Sequence, residues 1–454
     1  MEIKPEELKY LACALPESVR AFHESGYFDR EIATIDRLLS KESTPAVLKK
    51  RLALQRMLAE GMKKEYPLDL SQALLRMRED IPDFSEEELS GILEDSIVDW
   101  HMVNGQPHLQ DYFKGSLYDS RPDLCLRAGR EARGSGADGD ENVECMKKNG
   151  GRAFRYRVRC TVKPAPGTVS DGERILVHLP FPLPCEYQTD IVLHEASGGA
   201  YVAGSGQRTI SFDTEYHTGD SYFAEFSYTM RMPYRTPSPE DVSAVQPGFD
   251  TGEYPPQILF TPYLRELAAE IAGEETNPLL LARRVYDYIA SHTVYSFVRE
   301  YLHIENIAEA CLLNRFGDCG VMSLAFITLC RILGIPARWQ SGMSVHPGSI
   351  GPHDWAQFYV EPFGWLFCDP SYGTGALRAG NKVRYEHYFG NLDPFRMITC
   401  KDIMVPFEPA KRFMRIDPYD NQFGEIECRD RGLRAGEIEA GSTVISAEEL
   451  PFGI

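Results

Sequence analysis

The chain changes its hydrophobic period three times. Over the first hundred residues apolar side chains recur at helical spacing, with Leu48, Leu52 and Met62 following Thr44-Pro45, a predicted N-cap and first-turn proline. Ser85 and Glu88 stand three apart just before Leu89, Ile92, Leu93 and Ile97, the pattern of a capping box ahead of an amphipathic helix. A stretch with six glycines (129, 134, 136, 139, 150 and 151) and few apolar residues then predicts a loop over 129–151. The period next drops to two: Phe154, Tyr156, Val158, Cys160 and Val162 alternate with Arg155, Arg157, Arg159, Thr161 and Lys163. Shorter runs at Ile175–Leu179, Thr209–Phe212 and Tyr222–Met230, separated by turn residues, predict an antiparallel β-sandwich whose arginine-bearing face is solvated. Six prolines between Pro233 and Pro256 mark a second break. Helical spacing resumes at Leu264–Ala272 and Leu279–Ser291.

Composition narrows the classes. The 454 residues carry 48 basic and 67 acidic side chains, a net charge of −19 that repels phosphate backbones and anionic lipid, so neither nucleic acid nor a membrane is expected as a partner. Met1–Leu15 mixes charges into its apolar residues and does not read as a secretory signal, and no run is long enough to span a bilayer. Eleven cysteines without a Cys-x-x-Cys pair suit neither a disulfide scaffold nor a zinc ribbon and point to a reducing, cytoplasmic setting. A metal held by Cys311, Cys319, Cys330 and His353 would lack the short paired spacing of zinc sites, and the Asp420–Glu425 run has Gly and Glu at the wrong offsets for a calcium loop. With no phosphate loop, no G-x-S-x-G and no H-E-x-x-H, neither metal nor cofactor is expected.

The chemistry concentrates in one segment. Phe316-Gly317-Asp318-Cys319-Gly320 leads into Val321, Leu324, Ala325, Thr328, Leu329 and Ile332, a buried helix entered through a tight turn. Cys319 then falls at the helix start, where unsatisfied N–H groups and the dipole favour a thiolate and a developing oxyanion. Cys330, further along the same helix, reads as a core residue. A strand pattern begins at His353-Asp354-Trp355, turns at Glu361–Gly364 and returns through Trp365 to Cys368-Asp369-Pro370. His353 and Asp369 share a face of such a hairpin when paired residue numbers have an even sum. A cysteine at a helix start, a histidine at one strand's beginning and an aspartate at the next strand's end are the nucleophile, base and orienting group of thiol catalysis. His346 and His303 are alternative bases in principle and read as surface-loop residues. Trp355 and Trp365 read as packing.

Gly317-Asp318-Cys319, the helix end Leu333–Arg338, His353-x-Trp355 and Gly364-Trp365…Asp369-Pro370 occur in the order found in the transglutaminase-like superfamily, relatives of papain-type cysteine proteases, which the segment Leu279–Gly373 resembles. The resemblance implies Cys319 as nucleophile, His353 as general base and acid, and Asp369 as orienting carboxylate. Tyr295, where the family often has an aromatic residue, is a candidate oxyanion donor alongside the helix N–H groups at Cys319, against the plainer reading of a core tyrosine. Gln357 stands where the family often has glutamate. The segment Phe389-Gly390-Asn391-Leu392-Asp393-Pro394-Phe395-Arg396-Met397 is similar to an extension of bacterial members, with no role assigned.

The expected fold is a multidomain α+β protein: a helical region over 1–100, a β-sandwich domain over 101–250 that includes the glycine-rich loop 129–151, and a transglutaminase-like catalytic domain over 251–454 ending in a β-rich extension. The expected function is a thiol-dependent amide-bond hydrolase, a cysteine peptidase or amidase acting on a peptide or protein through a thioester. The absence of a dedicated amine site and the hydrolytic character expected of bacterial relatives favour water as acceptor. A protein-glutamine transamidase with the same triad is the first alternative, and a non-catalytic binding scaffold the second.

Overall fold

The structure, a computed structural model, describes residues 5–130, 138–204, 208–416, 419–420 and 422–452. It is a mixed α/β, multidomain arrangement with a core of helices packed on a sheet. In that core a five-stranded antiparallel sheet runs in the order Phe389–Gly390, Gly364–Cys368, Ser349–Val360, Ala337–His346, Arg396–Cys400. Alternation along Ser349–Val360 shows why the sheet has two covers. Ala356, Phe358 and Val360 pack into a cluster with Leu324, Phe326 and Ile327 of the helix Cys319–Ile332, whereas Trp355 packs on the other side with Tyr156, Tyr228 and Met230 of the sandwich. From His353 onward nearly every residue of the strand is buried, the polar His353, Asp354 and Gln357 among them.

The sandwich consists of two four-stranded antiparallel sheets. One runs Ile438–Leu450, Gly151–Pro164, Tyr222–Pro233, Gln188–Ala196, and the other Glu425–Glu427, Arg174–Pro180, Thr209–Glu215, Ala200–Val202. Phe154, Tyr156, Val158, Cys160 and Val162 all face inward, as the period of two demands. Arg157 and Arg159 on the outer face pair with Glu225, at 2.7 Å and 3.3 Å, so that face is a laced ion-pair surface.

The structure corrects the expected domain limits in two places. Helices persist past residue 100, at Phe113–Ser120, Pro122–Arg127 and Asp138–Asn149, the last within the stretch read as a glycine-rich loop; residues 131–137 of that stretch lie outside the described residues. Its Val143 and Met146 are buried, and this tertiary burial outweighs the helix-weakening glycines. The expected β-rich extension of the catalytic domain instead returns to the sandwich: Ile438–Leu450 pairs along nearly the whole of Gly151–Pro164, and Glu425–Glu427 pairs with Arg174–Pro180. Strand pairing across so many residues leaves no signal in a local sequence window.

The N-terminal part holds the helices Glu17–Glu24, Phe28–Leu39, Ala46–Glu65, Leu70–Asp80 and Glu86–Glu94 and a three-stranded sheet in the order Leu68–Asp69, Gln106–Leu109, Trp100–Val103. The Ser85–Glu88 capping box forms with both bonds, at 3.1 Å and 2.9 Å. This region grips the segment 295–299. Asp99 holds Arg299 through two carboxylate oxygens, Ser120 donates to the Tyr295 carbonyl at 3.0 Å, and Ser116 accepts from the Phe297 N–H at 2.9 Å. Among the described residues no helix is long and apolar enough to cross a membrane.

Candidate active site

The helix Cys319–Ile332 begins at the cysteine itself, because Asp318 caps it by accepting from the Val321 N–H at 3.0 Å. The other bond to that same Asp318 oxygen comes from Tyr301, whose hydroxyl donates at 2.6 Å. Gly320 leaves room for this arrangement, since a Cβ there would lie 2.2 Å from the Tyr301 hydroxyl and 2.7 Å from Trp339. Cys319 is buried, 9% exposed, beside the strand that carries His353 and Asp354.

His353 and Asp369 come together as the hairpin register requires. Ala356 pairs with Cys368, so partner numbers sum to an even value and His353 and Asp369 fall on one face. His353 Nε2 lies 2.7 Å from Asp369 Oδ2, both side chains almost wholly buried. Asp369 also caps the helix Pro370–Arg378, accepting from the Tyr372 N–H at 3.0 Å, and takes the Ser371 hydroxyl at 2.9 Å. Burial pushes its carboxyl up, but His353, Arg396 and the Tyr372 N–H outweigh that and hold it below the usual carboxylate range. The Tyr372 ring stacks on the imidazole at 4.4 Å and 28°, fixing its plane.

The thiol's own hydrogen bond runs to Asp354, at 3.6 Å from Sγ to Oδ2. Among the described residues none joins Sγ to His353. Burial pushes the Cys319 thiol well up, and the carboxylates of Asp354 and Asp318 push it further, while the Asp354 backbone N–H favours the thiolate. Gln422 donates to the other Asp354 oxygen at 2.6 Å.

Tyr295 lies on a two-residue strand paired in parallel with Phe316–Gly317, directly opposite Gly317. Burial pushes its hydroxyl well up, and the Asp318 carboxylate adds to that. Gln357 is buried away from these groups and accepts from its cross-strand partner Arg338 at 2.9 Å. His346 ends the strand Ala337–His346 and packs on Phe395 at 4.6 Å. His303 is not on an open loop: its side chain is 3% exposed and faces Glu65 at 2.5 Å. Asp354, Gln422, Tyr372 and Arg396 escape a sequence reading for different reasons. Asp354 was placeable, since the residue after His353 must point to the helix side of the sheet. The other three arrive from segments whose path past the site depends on the tertiary fold.

A helix-borne cysteine is thus laid against an antiparallel sheet that carries a histidine–aspartate pair. Residues 265–370 match the family model of the transglutaminase-like superfamily and form a transglutaminase-like domain. The uncharacterized protein YebA of Bacillus subtilis is 27% identical over 129 residues, which cover 24% of this chain and 17% of that protein. Similar solved structures include a candidate cysteine protease from Cytophaga hutchinsonii, at 14% identity and a TM-score of 0.40 over 67% of this chain and 94% of that one. The periplasmic domain of TgpA from Pseudomonas aeruginosa is 15% identical, with a TM-score of 0.27 over 54% of this chain and 96% of that one.

Proposed function

We propose that the protein is a thiol-dependent amide-bond hydrolase, a cysteine peptidase or amidase whose substrate is a peptide or protein. The observation that carries this reading is the buried His353–Asp369 hydrogen bond of 2.7 Å, on the strand whose next residue touches the Cys319 thiol. In the reaction Cys319 Sγ attacks the substrate carbonyl carbon as its proton passes to His353. The tetrahedral oxyanion is met by N–H groups at the start of the helix Cys319–Ile332, with the Tyr295 hydroxyl as an additional donor. His353 then protonates the leaving amine, the C–N bond breaks, and a thioester remains. Water, deprotonated by His353, attacks the thioester and releases the acid and the thiol. Asp369 keeps the imidazole oriented through both half-reactions. A reducing, cytoplasmic setting suits the eleven unpaired cysteines.

The test is digestion of a proteome-derived peptide library, read by mass spectrometry for new termini. Termini produced by the native chain and absent with Cys319→Ala, His353→Ala and Asp369→Ala support hydrolysis. Added primary amine incorporated at glutamine, with no new termini, would make transamidation the reaction. Neither product would leave the scaffold reading.

A further inference from the structure

The segment Phe389–Met397, which the catalytic reading leaves without a role, delivers a second buried carboxylate and a buried cation to the histidine–aspartate pair. Arg396 is fully buried, and its Nη2 lies 3.1 Å from Asp369 Oδ2 and 3.2 Å from Asp393 Oδ2. The guanidinium stands 4.7 Å over the ring of Tyr372, the same ring that stacks on His353. The motif holds these groups by its own bonds. Asp393 Oδ1 accepts from the Phe395 N–H at 3.0 Å across Pro394, and Oδ2 accepts from the Tyr388 hydroxyl at 3.2 Å. Asn391 clamps the linker, accepting from the Arg235 N–H at 2.7 Å and donating to the Arg235 carbonyl at 2.9 Å.

An arginine bonded to Asp369 alone would neutralise the charge that the imidazole needs when it takes up a proton. Here the guanidinium is shared between two carboxylates, so the group of three retains one net negative charge, placed against His353. We propose that Asp393 and Arg396 are positioning residues: Arg396 fixes the Asp369 carboxylate, and Asp393 balances Arg396 so that Asp369 remains an effective counter-charge to the His353 imidazolium. This rests on Cys319 and His353 acting as nucleophile and base. The other charged or titratable groups facing the cluster are Asp354 on the His353 strand, Asp318 and Cys319 at the helix start, Tyr372 and Tyr388, and His346 and His387 near Asp393.

The test is the pH profile of Cys319 alkylation by iodoacetamide on the full chain, each site resolved by mass spectrometry. In the native chain a His353-dependent acid limb is expected, lost in His353→Ala. Asp393→Asn removes the net negative charge, makes the imidazolium easier to deprotonate and moves that limb to lower pH by about half a unit or more. Asp393→Glu restores it. The double variant Asp393→Asn/Arg396→Gln again leaves one net negative charge and moves the limb back toward the native position, which a merely structural loss would not do. An unmoved limb in folded Asp393→Asn, or a double variant displaced further in the same direction, overturns the proposal. Should Asp393→Asn fail to fold, the double variant against Arg396→Gln alone gives the same comparison with the opposite sign. A native profile without a His353-dependent limb would instead overturn the underlying catalytic reading.

Discussion

Cys319 donates its thiol proton toward the carboxylate of Asp354, 3.6 Å away, and that same carboxylate is held from its other side by Gln422 at 2.6 Å. A negative charge beside a nucleophilic sulfur opposes its ionisation. The Asp354 carboxylate thus holds down the reactivity of the sulfur. Replacing Asp354 with Asn removes the second-largest influence raising the Cys319 thiol. Iodoacetamide labelling of Cys319 at pH 7 is expected to quicken by roughly three- to tenfold in Asp354→Asn, since each unit of pKa changes the thiolate fraction about tenfold. An unchanged rate would show that burial alone governs the sulfur.

Asp369 makes stability depend on acid. Its folded-state carboxyl sits below the usual range, so its contribution is present above the unfolded value near ~4 and is lost as pH falls through the folded value. Asp369→Ala strands His353 and Arg396 in the interior and is expected to cost about 3–5 kcal/mol at pH 7, in line with breaking a buried ion pair. Urea denaturation should show the gap between native and variant narrowing as pH falls below about 4. A gap independent of pH would place the cost in packing rather than charge.

Gly320 is a steric test of the capped helix start. A methyl group there meets the Tyr301 hydroxyl and the Trp339 ring at once, so Gly320→Ala must push Tyr301 off Asp318 or shift the helix. The expected cost is about 1–3 kcal/mol, typical of overpacking, together with a changed Cys319 labelling rate. Pairing it with Tyr301→Phe checks the origin: a smaller cost for Gly320→Ala in the Tyr301→Phe background places the strain at the hydroxyl.

Asp99 ties the N-terminal part of the chain to the segment 295–299 through Arg299. Asp99 is 2% exposed and holds that guanidinium with oxygens at 2.6 Å and 3.1 Å, beside the segment that carries Tyr295 and Tyr301. Asp99→Ala is expected to destabilise by about 3 kcal/mol. Hydrogen exchange should rise locally over residues 294–303 before the sandwich responds. Exchange that rises uniformly would mean the N-terminal region merely adds bulk stability.

What the sequence disclosed follows the range of the forces involved. The strand Gly151–Pro164, the Ser85 cap, the turn before Cys319 and the hairpin register that joins His353 to Asp369 are all set within a dozen or so residues, where periodicity and capping chemistry speak directly. Asp354 obeyed the same alternation and could have been placed from it. Arg396 could not: its burial between Asp369 and Asp393 needs the strand Arg396–Cys400 to pair with Ala337–His346 at the sheet edge, a decision made by the whole core. The helix Asp138–Asn149 was hidden for a related reason, since its glycine-rich surroundings argue for a loop until the buried contacts of Val143 and Met146 are known.

The pairing of Ile438–Leu450 with Gly151–Pro164 also sets an order of events at the ribosome. The strands 151–233 leave the exit tunnel long before their edge partner is made, and the whole transglutaminase-like domain is synthesised in between. During that interval a nascent sandwich offers an open backbone edge to any passing strand, and its closure is a contact of very high sequence separation, the slowest kind to form. The open edge of Gly151–Pro164 is thus covered only by a strand made after the whole transglutaminase-like domain.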